Sequence, residues 1–433
     1  MIKPFSDWLK GNKKPILLLG KGPSFSKRKN LLLSKYTTIT LNHAIREQKA
    51  TIAHLIDFDV FEDCQDSIYA NCEILVVPWC PHIKFRGTAK TLNDFTKELP
   101  VLKKMVDEGR VYTYNLSTGH VTAKEFGDQI RSGFFSGDTI FSMLTAFGEK
   151  EVFALGIDGK VSYDPSFSDL TPFTGGHTTF DKQFDSITRF EHANKAKFIN
   201  LGLTEPLEIF VGATEKQLIP TLVLDYTIKK HTDKLTEVVP LYTREIEHEA
   251  PKLPRNGPRT PFSFQRFWIP SLTKRVSMYL DSDMMVFGDI AKVFKMPFND
   301  SDVLAVGRLD AEGWKTSDYA MLLLDGNINW DIHQIVKMLD SGELTYESLM
   351  FDFEICDVNK SIDSCWNCLD KYTEGETKLL HFTNMQNQPW LKHGHPLESL
   401  WVGQLHDAIN CGFIDKDLVL EHEEKFYIRG GLV

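Results

Sequence analysis

The sequence predicts an α/β protein made of two tandem Rossmann-like α/β domains. Three observations lead there. The chain has 433 residues, too many for one typical domain and suited to two of roughly 200 each. Short apolar, β-rich runs alternate with longer stretches of helical spacing, the pattern of parallel sheets covered on both faces. The alternation stops at "GLTEP", 202–206, and then begins again. The expected domains are therefore 1–204 and 205–433, with 391–433 as a helical C-terminal appendage.

In the first half the expected strands are 15–20 "PILLLG", 37–42 "TTITLN", 52–57 "IAHLID", 73–78 "EILVVP", 110–115 "RVYTYN", 151–157 "EVFALGI" and 197–202 "KFINLG". Segments 121–131 and 138–148 have helical spacing. In the second half strands are expected at 207–212, 236–242, 276–281, 303–308 and 320–325, with a helix at 215–231. The Pro-rich stretch "EHEAPKLPRNGPRTPFS", 247–263, reads as a loop.

Hydrophobic residues make up 42% and charged residues 25%, ordinary values for a soluble globular protein. The formal net charge of −10 and the lack of a basic cluster disfavour nucleic acid as a partner. No apolar run approaches the roughly 20 residues of a membrane helix. "MIKPFSDWLKGNKK" lacks a secretion-signal core, so a cytoplasmic location is expected. Seven cysteines do not suggest a disulfide framework. Cys365 and Cys368 in "CWNC" have redox or zinc spacing, but nothing nearby completes a four-ligand site.

The stretch "MYLDSDMMVFGDI" places two carboxylates, Asp281 and Asp283, in an otherwise apolar run. Residues i and i+2 of an extended strand point to the same side. Both carboxylates, with small Ser282 between them, could then hold a hard divalent cation such as Mn²⁺ or Mg²⁺. Asp281 falls at a strand's C-terminal end, the edge where open α/β sheets bind ligands. Such a triplet alone is as well explained by turn capping.

Four stretches together resemble the retaining nucleotide-sugar transferases of glycosyltransferase family 8, which have the GT-A fold. They are "IFVGATEKQLIPTLVLDYTIKKHT", "FSFQRFWIPSL", "YLDSDMMVFGDI" and "KLLHFTNMQNQPW". The resemblance covers roughly 206–433. It implies a UDP-sugar donor near Gly212, Ala213, Thr214 and Ser282, and a donor-holding arginine, Arg266. It also implies His381 as third protein ligand to the metal, beside Asp281 and Asp283. The family has a lysine before its Pro-Trp; here Asn387 and Gln388 precede Pro389 and Trp390, which makes Gln388 the candidate phosphate partner. "SDYAMLLLD" makes Ser317 and Asp318 candidates for contact with the donor sugar or acceptor.

In the first half, "PILLLGKGPSFS" is a strand running into a glycine-containing turn that could cradle an anion. With "TITLNHA" and "SGDTIFSMLTAFGEKEVFALGID" it resembles, more loosely, the bacterial sialyltransferases of glycosyltransferase family 42. That resemblance covers about 15–160. It implies a CMP-activated acidic sugar held by Gly20, Gly22, Pro23, Ser24, Asn42, Ser136 and Gly137. A histidine downstream acts as base in that family; His177 in "PFTGGHTTFDKQF" is preferred over His192, because loops carry catalytic groups more often than helix middles.

The resemblances imply a metal-dependent hexosyltransferase with a second transferase-like domain. The partners would be nucleotide-sugar donors and a glycan or lipid-linked glycan acceptor of surface polysaccharide or glycoconjugate synthesis. A lipid-linked acceptor would bring the chain to the inner face of the membrane. A rival reading is a carbohydrate-binding or scaffold protein with a degenerate N-terminal transferase domain. A pyrophosphorylase would need a Gly- and Lys/Arg-rich loop after the first strand of the nucleotide domain, which "IFVGATEKQ" does not supply.

Overall fold

A computed structural model describes residues 1–117, 129–131, 135–174, 176–244, 246–309 and 315–433. The chain divides into two compact units. Unit 1 comprises Met1–Lys29 and Leu33–Glu205; unit 2 comprises Asn30–Leu32 and Pro206–Val433.

Unit 1 is built on a parallel sheet. Its order is Lys3–Pro4, Val111–Ser117, Cys72–Pro78, Ala50–His54, Thr37–Leu41, Ile16–Leu19, Glu151–Leu155 and Lys197–Asn200. Ile16–Leu19 and Thr37–Leu41 are buried at every residue, which is why they read as unbroken apolar runs. Neighbouring residues serve opposite faces. Ile74 and Val76 enter one core with Ile140 and Phe141, while Leu75 and Val77 enter another with Phe58 and Phe61. The chain runs outward from Ile16–Leu19 in one direction and returns on its other side with Glu151–Leu155. Such a reversal opens a crevice at the strands' C-terminal ends.

Each expected strand of this half appears, with its ends shifted by a few residues; 52–57, for example, is Ala50–His54. The helix expected over 138–148 spans Ser136–Ala146. The helix expected over 121–131 is corrected at its end. Gln129–Arg131 is a strand paired with Asn115–Ser117, and 121–128 lies outside the described residues.

Unit 2 has a mixed six-stranded sheet: Thr236–Pro240, Leu207–Gly212, Ser277–Asp281, Lys315–Leu324, Val303–Leu309 and Val358–Ile362. The first three are parallel, and Lys315–Leu324 runs antiparallel to both its neighbours. A small second sheet joins Met284–Val286, Leu379–His381 and Cys368–Leu369. Strands of two or three residues are too short for an alternation to be read. The appendage contains helices Glu398–Asn410 and Lys416–Glu424. Its Trp401 and Leu405 share a core with Phe382 and Trp390. Among the described residues no helix is long and apolar enough to cross a membrane.

Candidate functional site

Unit 2 brings three metal-ligating side chains together. Asp281 ends the strand Ser277–Asp281, and Asp283 precedes Met284–Val286. That short strand pairs antiparallel with Leu379–His381, in a register that sets Met284 opposite His381. The amide of Phe382 donates to the Asp283 carbonyl at 2.9 Å. This pairing carries a histidine from far along the chain to the two aspartates. One ligand atom from each of Asp281, Asp283 and His381 lies within 4.8 Å of the others.

Each of the three is held from behind. His381 Nε2 is 3.2 Å from Asp283 Oδ1, and its Nδ1 is 3.1 Å from Asn367 Oδ1. Gln388 Nε2 donates to Asp283 Oδ2 at 2.9 Å and to the Phe382 carbonyl at 3.0 Å. The Tyr279 hydroxyl donates to Asp281 Oδ1 at 2.6 Å. Arg266 is buried, with its guanidinium 4.4 Å above the Tyr279 ring. It donates to the Tyr319 carbonyl at 2.6 Å and lies 3.5 Å from Asp281 Oδ1. Burial pushes the Asp281 carboxyl up to about 6, against the opposing pull of Arg266.

Two residues expected at the donor make bracing contacts here. Gln388 braces the Asp283 carboxylate. Arg266 braces Asp281 from the buried side. Trp390 is core: it is 2% exposed and packs against Phe382 and Trp401. The "CWNC" segment contributes through its asparagine. Cys365 and Cys368 are free thiols, and burial with the adjacent Asp363 carboxylate pushes Cys365 up to about 12. Asn367 between them is the partner of His381.

The loop that follows Leu207–Gly212 is pinned by Gln265, which no motif singled out. Gln265 accepts from the Ala213 amide and donates to the Ala213 carbonyl, both at 3.0 Å. Thr214 begins a capping box with Gln217. A Cβ on Gly212 would meet the Tyr279 hydroxyl at 2.2 Å, so only glycine fits beside that tyrosine. Ser282 Oγ is buried without a hydrogen-bond partner among the described residues. The side chains of Ser317 and Asp318 lie outside the description.

Unit 1 has a cavity of about 550 Å³ at its crevice. Gly20, Gly22, Asn42, Ser136 and Gly137 line it, five of the residues expected there. The strand ends touch: a Cβ on Gly20 would lie 2.3 Å from the Gly156 carbonyl oxygen, and one on Gly156 equally close to that of Gly20. Asn42 adopts a left-handed backbone, φ 54°, and donates to Ser136 Oγ at 3.1 Å.

Pro23, Ser24 and His177 are not in the lining. Pro23 is exposed at the start of a short helix. Ser24 is structural. Its hydroxyl donates to Asp158 Oδ1 at 2.5 Å and accepts from the Gly156 amide at 2.8 Å, while its amide donates to Asp158 Oδ2 at 2.7 Å. The His177 ring is edge-on to that of Phe135, which lines the cavity, with centroids 6.2 Å apart. Lys21, His43 and Asp57 line the cavity instead. Lys21 Nζ stands 4.3 Å over the Tyr163 ring, and burial pushes its ammonium down to about 8. Burial and nearby Lys21 lower the pKa of His43. Burial raises the Asp57 carboxyl to about 6. Lys21 and His43 were visible within the quoted motifs, beside the glycines and Asn42.

Neither a family model nor a curated protein matches this chain. Solved structures do. WbbM, a bifunctional glycosyltransferase, matches at 10% identity over 58% of this chain and 60% of its own, with a TM-score of 0.36. The glycosyltransferase GlyE of Streptococcus pneumoniae TIGR4 matches at 16% identity over 51% of this chain and 64% of its own, TM-score 0.34. The sialyltransferase CST-II, in complex with a trisaccharide acceptor and CMP, matches at 16% identity over 44% of this chain and 82% of its own, TM-score 0.28. The matched region thus spans less than two thirds of the WbbM and GlyE chains. These scores are too low to carry an argument about function.

Proposed function

We propose that this chain is a two-domain glycosyltransferase. Unit 2 would be a metal-dependent, retaining hexosyltransferase that moves a hexose from a UDP-sugar to a glycan acceptor. Unit 1 would be a second transferase-type domain that takes a CMP-activated acidic sugar. The observation that carries the reading is the convergence of Asp281, Asp283 and His381.

The residues fit a divalent cation. Two carboxylates and one imidazole offer three ligands, leaving positions for phosphate oxygens. Asp283 Oδ1 is buried, faces His381 Nε2 at 3.2 Å and accepts no hydrogen bond among the described residues. When bound, a divalent cation would neutralise charge developing on a departing nucleoside diphosphate. The chain's own residues prepare that position. Gln388 and Asn367 orient Asp283 and His381, while Tyr279 and Arg266 fix Asp281. Retention of configuration and the UDP-hexose are carried over from the family 8 resemblance, and we name no enzyme nucleophile.

The test is calorimetric titration with a panel of UDP-hexoses and CMP-sugars, with and without Mn²⁺, on the wild type and Asp283→Ala. A UDP-sugar is expected to bind only with metal and not to bind the variant. A CMP-sugar is expected to bind both proteins. Absence of any nucleotide-sugar binding would sink the transferase reading and favour a scaffold.

A further inference from the structure

Phe85 and Phe173 both line the unit 1 cavity, yet they are 53% and 48% exposed. Their rings stack face to face, with centroids 3.8 Å apart and planes 12° apart. Phe85 lies on the two-residue turn of a hairpin that pairs His82 with Gly87 and Ile83 with Arg86. Both turn residues, Lys84 and Phe85, have left-handed backbone, with φ of 46° and 64°. Hairpin turns of this hand are normally filled by Asn-Gly. A lysine followed by a phenylalanine is sterically strained there.

Two carboxylates hold the strained form. Asp59 accepts from the Lys84 amide at 3.0 Å, and Asp57 from the Phe85 amide at 2.9 Å. Both follow the strand Ala50–His54, which is two places along the sheet from Ile16–Leu19 and its glycine loop. At about 4.8 Å per strand that is roughly 10 Å, the reach of a ligand with an anionic group at one end and a ring at the other. Strain and an exposed apolar pair are both unfavourable in the free protein. A ring laid against the pair would remove apolar surface from water and offset them.

We propose that Phe85 and Phe173 form a ring-stacking subsite at the edge of the unit 1 cavity, which grips the nucleobase or pyranose ring of a ligand anchored by the glycine loop. The shared chemistry is a flat or C–H-lined face against an aromatic one. The proposal rests on unit 1 being a nucleotide-sugar site, and its test separates the two.

The full chain is titrated calorimetrically with cytidine, CMP and N-acetylneuraminic acid, as wild type, Phe85→Gly and Phe173→Ala. Phe85→Gly removes the ring and relieves the turn, so its melting temperature is expected to hold or rise. At least one probe that binds the wild type is expected to weaken about fivefold or more in both variants. Loss in the cytidine arm identifies the base as the stacked ring, and loss in the neuraminic acid arm identifies the sugar. Equal affinities across all three proteins would overturn the subsite while leaving the nucleotide-sugar reading in place. Neuraminic acid binding that the variants lose, with no nucleotide bound, would keep the subsite and end that reading. Failure of all three probes to bind the wild type would end both.

Discussion

Nδ1 of His381 faces Oδ1 of Asn367 at 3.1 Å, and both residues are buried. A carboxamide oxygen only accepts, so the imidazole proton belongs on Nδ1 and the lone pair on Nε2, toward Asp283. Metal-binding histidines are commonly fixed this way, and loss of the outer partner typically costs 10–100-fold in metal affinity. Asn367→Ala is therefore expected to weaken Mn²⁺ binding by about that factor without unfolding the chain. Mn²⁺ titration of the variant checks this. A change below about twofold would show that the contact does not tune the site.

The burial of Asp281 makes the stabilisation expected from a bound metal depend on pH in a defined direction. Burial raises the Asp281 carboxyl from 3.8 to about 6. A raised carboxyl contributes stability fully below its unfolded value and loses it as pH rises through the folded value. The metal-free site is thus weakened between about 4 and 6. A divalent cation binds the carboxylate form and reverses that loss. Mn²⁺ is expected to raise the melting temperature more at about pH 7.5 than at about pH 5. Equal increments at the two pH values would contradict the assignment.

Much of this was legible because it is local. Ile16–Leu19 and Thr37–Leu41 announce themselves by burial on both faces, and Asp281 by standing at the end of such a run. What was not legible depends on long-range register. Gln265 reaches Ala213 across the unit, and Asn367 reaches His381 through a two-residue strand. Neither contact leaves a periodicity. Ser24 shows a related difficulty. A serine after a glycine turn suits a ligand or an internal carboxylate equally well, and only the return of Asp158 to the same crevice decides between them.

Ser24 supplies the next prediction. Its hydroxyl and amide satisfy both oxygens of Asp158, and the hydroxyl also takes the Gly156 amide. Ser24→Ala leaves a half-buried carboxylate oxygen and the buried Gly156 amide without that partner. The expected loss is about 1–3 kcal/mol of unit 1 stability, seen as a lowered urea midpoint. Metal binding at Asp281, Asp283 and His381 should be unchanged. An unaltered midpoint would return Ser24 to the candidates for ligand contact.

Lys21 gives the unit 1 cavity a titratable cation. Its ammonium lies over the Tyr163 ring and lines the cavity, with burial pushing it down to about 8. The cation is present below that value and disappears above it. An anion bound beside it favours the protonated form. CMP affinity is therefore expected to fall as pH rises through about 8, while cytidine, which lacks the phosphate, should show no such fall. Lys21→Met should weaken CMP by about tenfold or more at neutral pH and flatten its pH profile, with cytidine again unaffected. Titration of the four protein–ligand pairs at about pH 7 and about pH 9 decides the matter. A CMP profile that is flat in the wild type would mean the phosphate is held by the backbone of the glycine loop and not by Lys21.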